Sequence, residues 1–294
     1  MDASDLRVFE AVARLGGMNR AAAELNTVQS NVTARVQALE AEIGSPLFDR
    51  HSRGVVLTRA GRRLLPYAGK VARLLADAMR AVRDEGSPCG TLTIGSLETT
   101  AALRLTPLLA DYAAGCPDVD LVLRTGTTCE LLDDVLAQRV DGAFVCGPVT
   151  HPDVAALGMF REELVLLAAP HVKSLEAVLD VGEVRLVVLR AGCSYRQMLE
   201  TLLARRGAVV QRQLEFGTLE AIFGCVAAGL GITLLPRALI GAVCDAGRVS
   251  VHALPRADAM VETVFIRHRD RFVSSALRAF LACATDAMDT AQAA

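Results

Sequence analysis

No part of this chain constrains its fold more than residues 18–58, and within them residues 27–40. Val32, Val36, Leu39 and Ile43 recur at i, i+4, i+7 and i+11, one apolar stripe along a helix, while Ser30, Thr33, Ala34 and Gln37 fall on the opposite side. The outer face is polar yet uncharged. Surface helices ordinarily carry Glu and Lys there, whereas small hydroxyls and amides suit a helix that lies in a major groove and hydrogen-bonds base edges. Upstream, Asn19 is placed to cap a short helix over residues 20–25 whose alanines permit close crossing, and Asn26 or Thr27 stops it and caps the next. Two helices so joined are expected to form a helix-turn-helix. Downstream, Gly44-Ser45-Pro46-Leu47-Phe48-Asp49-Arg50 leads into Arg53-Gly54-Val55-Val56-Leu57-Thr58, a short hairpin with Arg50, His51 and Arg53 near its tip, which reads as a wing.

A chain of 294 residues suits two or three domains, and 52% hydrophobic with 22% charged residues describes a soluble globular protein rather than a disordered one. The net charge of -2 excludes little, because a nucleic-acid binder needs only a local positive surface. Distribution decides: Arg59, Arg62, Arg63, Lys70, Arg73, Arg80 and Arg83 face only Asp77 in residues 59–83, next to the wing, where phosphates would be. The start has no basic leader, and the longest uncharged apolar segment, 221–236, is short and broken by Gly224, Gly229 and Gly231, so a cytoplasmic protein with no membrane partner is expected. Eight cysteines without a C-x-x-C pair and five histidines without ligand spacing predict buried, reduced thiols, no metal and no cofactor. Against that reading, a redox-sensor role for Cys193 or Cys225 is the weaker alternative.

Taken in order, Ser4 is expected to cap a first helix with Leu6, Phe9, Ala13 and Leu15 on its inner face, ended by Gly16-Gly17. Thr58 caps a long helix in which Leu64, Ala68, Val71, Leu75, Ala78 and Val82 make a heptad seam, with a bend at Pro66; the seam predicts a partner helix. Gly86-Ser87-Pro88-Cys89-Gly90 marks a boundary. Beyond it, strands at 91–95, 119–124 and 142–146 alternate with helices at 100–114 and 130–138. A second unit follows, with strands at 164–168, 184–189, 213–216 and 232–235 and helices at 194–205 and 219–228. A strand at 262–267 returns to the first unit and a helix at 273–288 closes the chain, giving two α/β lobes around a cleft. In such lobes ligands sit at strand carboxyl ends, beside helix amino termini. Ser96, Thr99 and Thr100, Thr127 and Thr128, Ser194, and Thr218 stand there, each with an alternative reading as a plain helix cap. Glu98 and Arg196 share those turns with opposite charge. Against an enzyme, the chain lacks a phosphate loop, a His-Ser-acid order and a metal cluster, and Gly224 to Gly231 falls within or after a helix. A solute-binding or enzymatic α/β protein is the competing class.

The same residues carry a family resemblance. Ala21-Ala22-Ala23-Glu24-Leu25, Gln29-Ser30, Leu39-Glu40, Gly44 to Arg50 and Leu57-Thr58-Arg59-Ala60-Gly61 resemble the amino-terminal signature of the LysR-type bacterial transcriptional regulators. Thr91-Leu92-Thr93-Ile94-Gly95, Pro117 to Leu121, Leu136 to Phe144 with Asp141, and Ala227 to Pro236 are similar to that family's effector domain, itself like type 2 periplasmic solute-binding proteins. The resemblance implies a multidomain, ligand-responsive regulator that is not an enzyme. Its expected parts are a winged helix-turn-helix DNA-binding domain (1–58), a linker and dimerisation helix (59–86) and a two-lobed α/β effector domain (87–294). In the last, lobe I is 90–160 and 267–294 and lobe II is 161–266. Implied partners are double-stranded DNA at an inverted repeat, a small-molecule effector and further copies of the chain as a dimer and homotetramer, with RNA polymerase also admitted. Gln29, Ser30, Thr33 and Gln37 would then meet the major groove, Arg53 the minor groove, and Arg35, Arg50 and Arg59 phosphates, with Asn31 also among the DNA-binding residues. Ala34 departs from relatives that often carry a long polar residue, leaving at most an apolar contact with a thymine methyl there.

Overall fold

Asp2 rather than Ser4 opens the first helix, α1 (Ala3–Leu15): its carboxylate accepts from Asp5 N at 2.8 Å while the Asp5 side chain accepts from Asp2 N, a capping box. The computed structural model describes residues 1–51, 54–174, 176, 183–241 and 247–293, and divides into two units, Met1–Glu85 and Gly86–Ala294.

In the first unit α2 (Met18–Glu24) starts from Gly17, two residues before the expected Asn19 cap, because Met18 is drawn into the core. Helix α3 (Gln29–Ile43) follows Val28, which supplies no side-chain cap; Thr27 Oγ1 instead accepts from Asn31 Nδ2 at 2.9 Å. Strands β1 (Phe48–His51) and β2 (Gly54–Leu57) pair antiparallel, with His51 opposite Gly54. Val32, Val36 and Leu39 are buried with Phe9, Val12, Leu47 and Phe48, the Phe9 and Phe48 rings lying 5.2 Å apart. Each such side chain contributes about 1.5–3 kcal/mol by burial. The Leu39-Glu40 signature has a mechanical reason: Glu40 Oε1 accepts from Leu47 N and Phe48 N, fixing the start of the wing on α3. Thr58 Oγ1 donates to Pro46 O and accepts from Gly61 N, so α4 (Arg59–Arg83) is capped where the wing ends. A Cβ on Gly61 would stand 2.2 Å from Leu47 O, which excludes any larger residue.

Helix α4 continues through Pro66, but its heptad seam divides. Ala68 is buried, with Leu64 and Val71 packed against the core of this unit. Leu75 and Val82 are exposed, together with Tyr67, Leu74 and Met79.

In the second unit β3 (Gly90–Ser96) runs parallel to β4 (Val119–Thr125) and β5 (Gly142–Cys146). Between β3 and β4 the expected single helix is a turn α5 (Glu98–Thr100), a π-helical turn over Ala101–Leu105 and α6 (Thr106–Gly115). Helix α7 (Thr128–Leu136) joins β4 to β5. The strand expected at 164–168 is the end of a 15-residue strand, β6 (Val154–Ala168). Its first part pairs with β11 (Met260–His268); its last part pairs with β9 (Thr233–Pro236) and β10 (Ser250–Ala253), so one strand serves both lobes. In the second lobe β7 (Glu183–Leu189) and β8 (Val209–Phe216) are parallel, and helices α8 (Ser194–Arg205) and α9 (Leu219–Ala227) follow them. A short α10 (Arg256–Ala259) precedes β11, and α11 (Ser275–Ala293) closes the first lobe on a cluster of Phe144, Phe160, Phe265 and Phe280. The Asp141 of the resemblance is buried: it accepts from Thr93 N at 2.7 Å and pairs with buried Arg271 at 2.5 Å, tying β3 and β5 to the segment before α11.

Candidate functional site

On α3 the apolar stripe faces inward, so Gln29, Ser30, Asn31, Ala34 and Gln37 are exposed as the spacing requires. Thr33 is half-buried, and Gln29 Nε2 donates to its hydroxyl at 3.1 Å, so the two side chains stand together one turn apart. Arg35 lies on the flank instead. Its guanidinium donates to Ser4 Oγ at 2.7 Å and Asp5 Oδ1 at 3.1 Å, bracing α3 against the start of α1. Arg59 is exposed at the first position of α4. Arg53 lies outside the described residues, and so does the side chain of Arg50. Among the basic residues that follow, Arg62 is committed to Leu57 O.

The second unit holds a depression of about 460 Å³, open to solvent, where three of the expected strand ends meet. Thr99, Thr127 and Ser194 line it. Thr99 is only 2% exposed, and its Oγ1 stands beside the Tyr195 hydroxyl without a well-directed hydrogen bond. Thr127 caps α7 in a capping box with Glu130, whose carboxylate is held below its ordinary pKa by the Thr127 amide. Thr128 Oγ1 accepts from Ser194 Oγ at 2.9 Å and from Cys146 N at 3.4 Å, a bond between lobes. Gly192 makes that approach possible, since a Cβ there would stand 2.8 Å from Thr127 Oγ1 and its φ of +91° is left-handed.

Other expected residues are not part of this lining. Ser96 is fully buried and donates to Leu97 O at 2.9 Å. Thr100 is buried, beside Thr99 in sequence, but lines neither this depression nor its neighbour. Thr218 is exposed and caps α9 through Ala221 N. Arg196 turns toward β8, donating to Glu200, Glu215 and Gln213. The cation at the cleft is Arg190, just past the end of β7; the strand-end rule reaches it once charge is considered alongside hydroxyls. Glu98 also lines the cleft; burial and Glu220 push its carboxyl above the ordinary value, against the Leu219 amide and Arg190. Tyr195, Cys146 and Cys193 supply the floor, and burial raises the thiol pKa values, that of Cys146 to about 11, which keeps both as weakly reactive thiols at neutral pH.

Beyond the Thr128 to Ser194 bond lies a larger depression of about 1290 Å³, with the Arg205 to Asp258 ion pair at its edge; Cys146 and Ser194 face both spaces. Among the described residues no three His, Cys, Asp or Glu side chains gather as a metal site, and no helix is long and apolar enough to cross a membrane.

Residues 3–62 match the family model described as "Bacterial regulatory helix-turn-helix protein, lysR family", and residues 85–289 match "LysR substrate binding domain". The chain is 46% identical over 281 residues to the uncharacterized HTH-type transcriptional regulator YusT of Bacillus subtilis, covering 96% of this chain and 94% of that protein. A full-length OxyR variant from Pseudomonas aeruginosa has a similar fold, with a TM-score of 0.68 at 20% identity over 98% of this chain and 94% of that one. So does full-length CbnR complexed with its target DNA, with a TM-score of 0.62 at 22% identity over 98% and 100% of the two chains. From its winged helix-turn-helix to its two-lobed α/β domain, the chain belongs to the LysR family of bacterial transcriptional regulators.

Proposed function

We propose that this regulator reads an inverted-repeat operator with Gln29, Ser30, Thr33 and Gln37 in the major groove, Asn31 at its edge, Arg53 in the adjoining minor groove and Arg50 and Arg59 on phosphates. The observation that carries this reading is the largely exposed, uncharged polar face of α3 opposite a stripe whose Val32, Val36 and Leu39 are buried, Ile43 alone emerging at the helix end. Arg35, engaged by Ser4 and Asp5, orients α3 rather than meeting DNA. The exposed end of the α4 seam pairs two chains, and two dimers join as a tetramer. A small cytoplasmic metabolite enters the cleft between the lobes, engages Thr99, Thr128 and Ser194, and shifts how the lobes pack. DNA bending changes as a result; no reaction is catalysed and no cofactor is used. RNA polymerase contacts the DNA-bound assembly.

Operator binding as a function of salt tests the assignment. Gln29→Ala and Gln37→Ala should each weaken specific binding by about 1–3 kcal/mol. Arg59→Ala should reduce the slope of log K against log salt by about 0.9 per phosphate lost, and Arg35→Ala should leave that slope unchanged. Unaltered affinity in both glutamine variants would refute the groove assignment.

A further inference from the structure

The cleft carries two charges of opposite sign, neither held in an ion pair among the described residues, although Glu98 accepts from the Leu219 amide. Glu98 follows the end of β3 in one lobe and Arg190 follows the end of β7 in the other, and both line the same depression. Among the described residues the Arg190 side chain forms no ion pair or hydrogen bond; Glu98 feels it only at longer range, with Glu220 opposing. Close by, α8 begins at Cys193 without a side-chain cap, so the amides of its first turn meet only a thiol. A thiol is a weak acceptor, and a helix of 12 residues presents a positive dipole end there. The buried hydroxyl of Thr99, which stands beside that of Tyr195 without a well-directed hydrogen bond, lines the same space and supplies one more polar group with bonding capacity to spare. The rest of the lining combines Leu97, Leu189, Cys146, Cys193, Gly126 and the ring of Tyr195 with the hydroxyls of Thr125, Thr127 and Ser194, none of which offers a full charge.

We propose that the ligand of this cleft is a zwitterion, an α-amino acid with an uncharged side chain. Its carboxylate is held by Arg190 and the amides that open α8, its ammonium group by Glu98, and its side chain lies on the apolar floor. The proposal rests on the reading of this cleft as the effector site. A simple carboxylic acid would leave Glu98 beside an added anion, and a simple amine would leave Arg190 and the α8 amides unanswered.

The test uses the full-length chain. The twenty protein L-amino acids are screened by thermal shift, and each that raises Tm is titrated calorimetrically beside its des-amino carboxylic acid and its decarboxylated amine. At least one amino acid with an uncharged side chain should bind, and loss of either end should weaken binding by about 10-fold or more. Glu98→Gln should weaken the amino acid by about 10-fold without weakening the des-amino acid, and Arg190→Gln should do the converse for the amine. The analogue series on the wild type stands even where a variant folds poorly. A des-amino acid that binds as tightly as its parent overturns the zwitterion, as does a screen in which no such amino acid binds. In those cases an acid that still shifts the operator complex leaves the effector reading intact. If no bound compound of either set alters that complex, both readings fail.

Discussion

The Ser194 hydroxyl donates to Thr128 Oγ1 at 2.9 Å, joining the first residue of α8 in one lobe to the first residue of α7 in the other. Thr128 in turn accepts from Cys146 N, so a strand end and two helix starts share one oxygen. This bond stands where the two depressions meet, since Ser194 lines both. Ser194→Ala should destabilise the chain by about 0.5–1.5 kcal/mol, the net worth of one such bond. It should also raise the effector concentration needed for half-response, as read by thermal unfolding together with operator anisotropy. An unchanged response at reduced stability would mean that the bond is only structural.

Thr99 lines the cleft and Thr100, its neighbour in sequence, does not. Thr99→Val removes a buried hydroxyl that stands beside Tyr195 without a well-directed hydrogen bond, so stability without ligand should change little, while effector affinity falls by about 10-fold. Thr100→Val should leave effector affinity within about twofold, since Thr100 lines neither depression. Calorimetric titration of both variants decides between them; the reverse ranking would move the ligand elsewhere.

Leu75 is 42% exposed and Val82 85% exposed on α4, in the part of the seam that the core of the first unit leaves uncovered. Leu75→Glu or Val82→Glu should convert dimers to monomers in sedimentation velocity, because each places a charge in a seam that needs apolar contact. Stability of the monomer should change by less than about 0.5 kcal/mol, as expected at exposed positions. Wild-type sedimentation in both variants would rule the stripe out as the dimer contact.

Two carboxylates at the cleft titrate in opposite directions. Glu98 is raised, so its proton is bound more tightly in the folded chain; the cost of ionising it grows as pH rises from the ordinary carboxylate value through the raised one. Glu130 is lowered, so its contribution is present above the ordinary value and is lost as pH falls through the lowered one. Glu98→Gln should therefore gain stability relative to wild type as pH rises across its window. Glu130→Gln should lose stability at neutral pH and recover it in acid. Chemical denaturation at pH 3 to 7 measures both, and parallel profiles for the two variants would contradict the assignment.

The faces of α3, the hairpin and Thr58 at the start of α4 were legible in the residues because periodicity and capping act over three or four positions along one chain. The motif from Leu39 to Gly61 was legible too, and its reasons are close contacts: Glu40 on the Leu47 amide, Gly61 against Leu47 O. Where local preference met a competing burial, the reading slipped. Met18 moved the start of α2 from Asn19 to Gly17, and Ala68, Leu64 and Val71 took half of the α4 seam into the core of their own unit. The cleft depended most on tertiary structure. Strand ends could be named from alternation alone, but nothing local distinguishes Arg190, which lines the cleft, from Arg196, which turns to Glu215 on β8. Nor does it distinguish Thr99 from Thr100, or bring Ser194 to Thr128 across 66 residues. Those choices follow from how β6 carries two lobes on one strand and how Gly192 lets their loops meet, long-range packing that one-dimensional spacing does not encode.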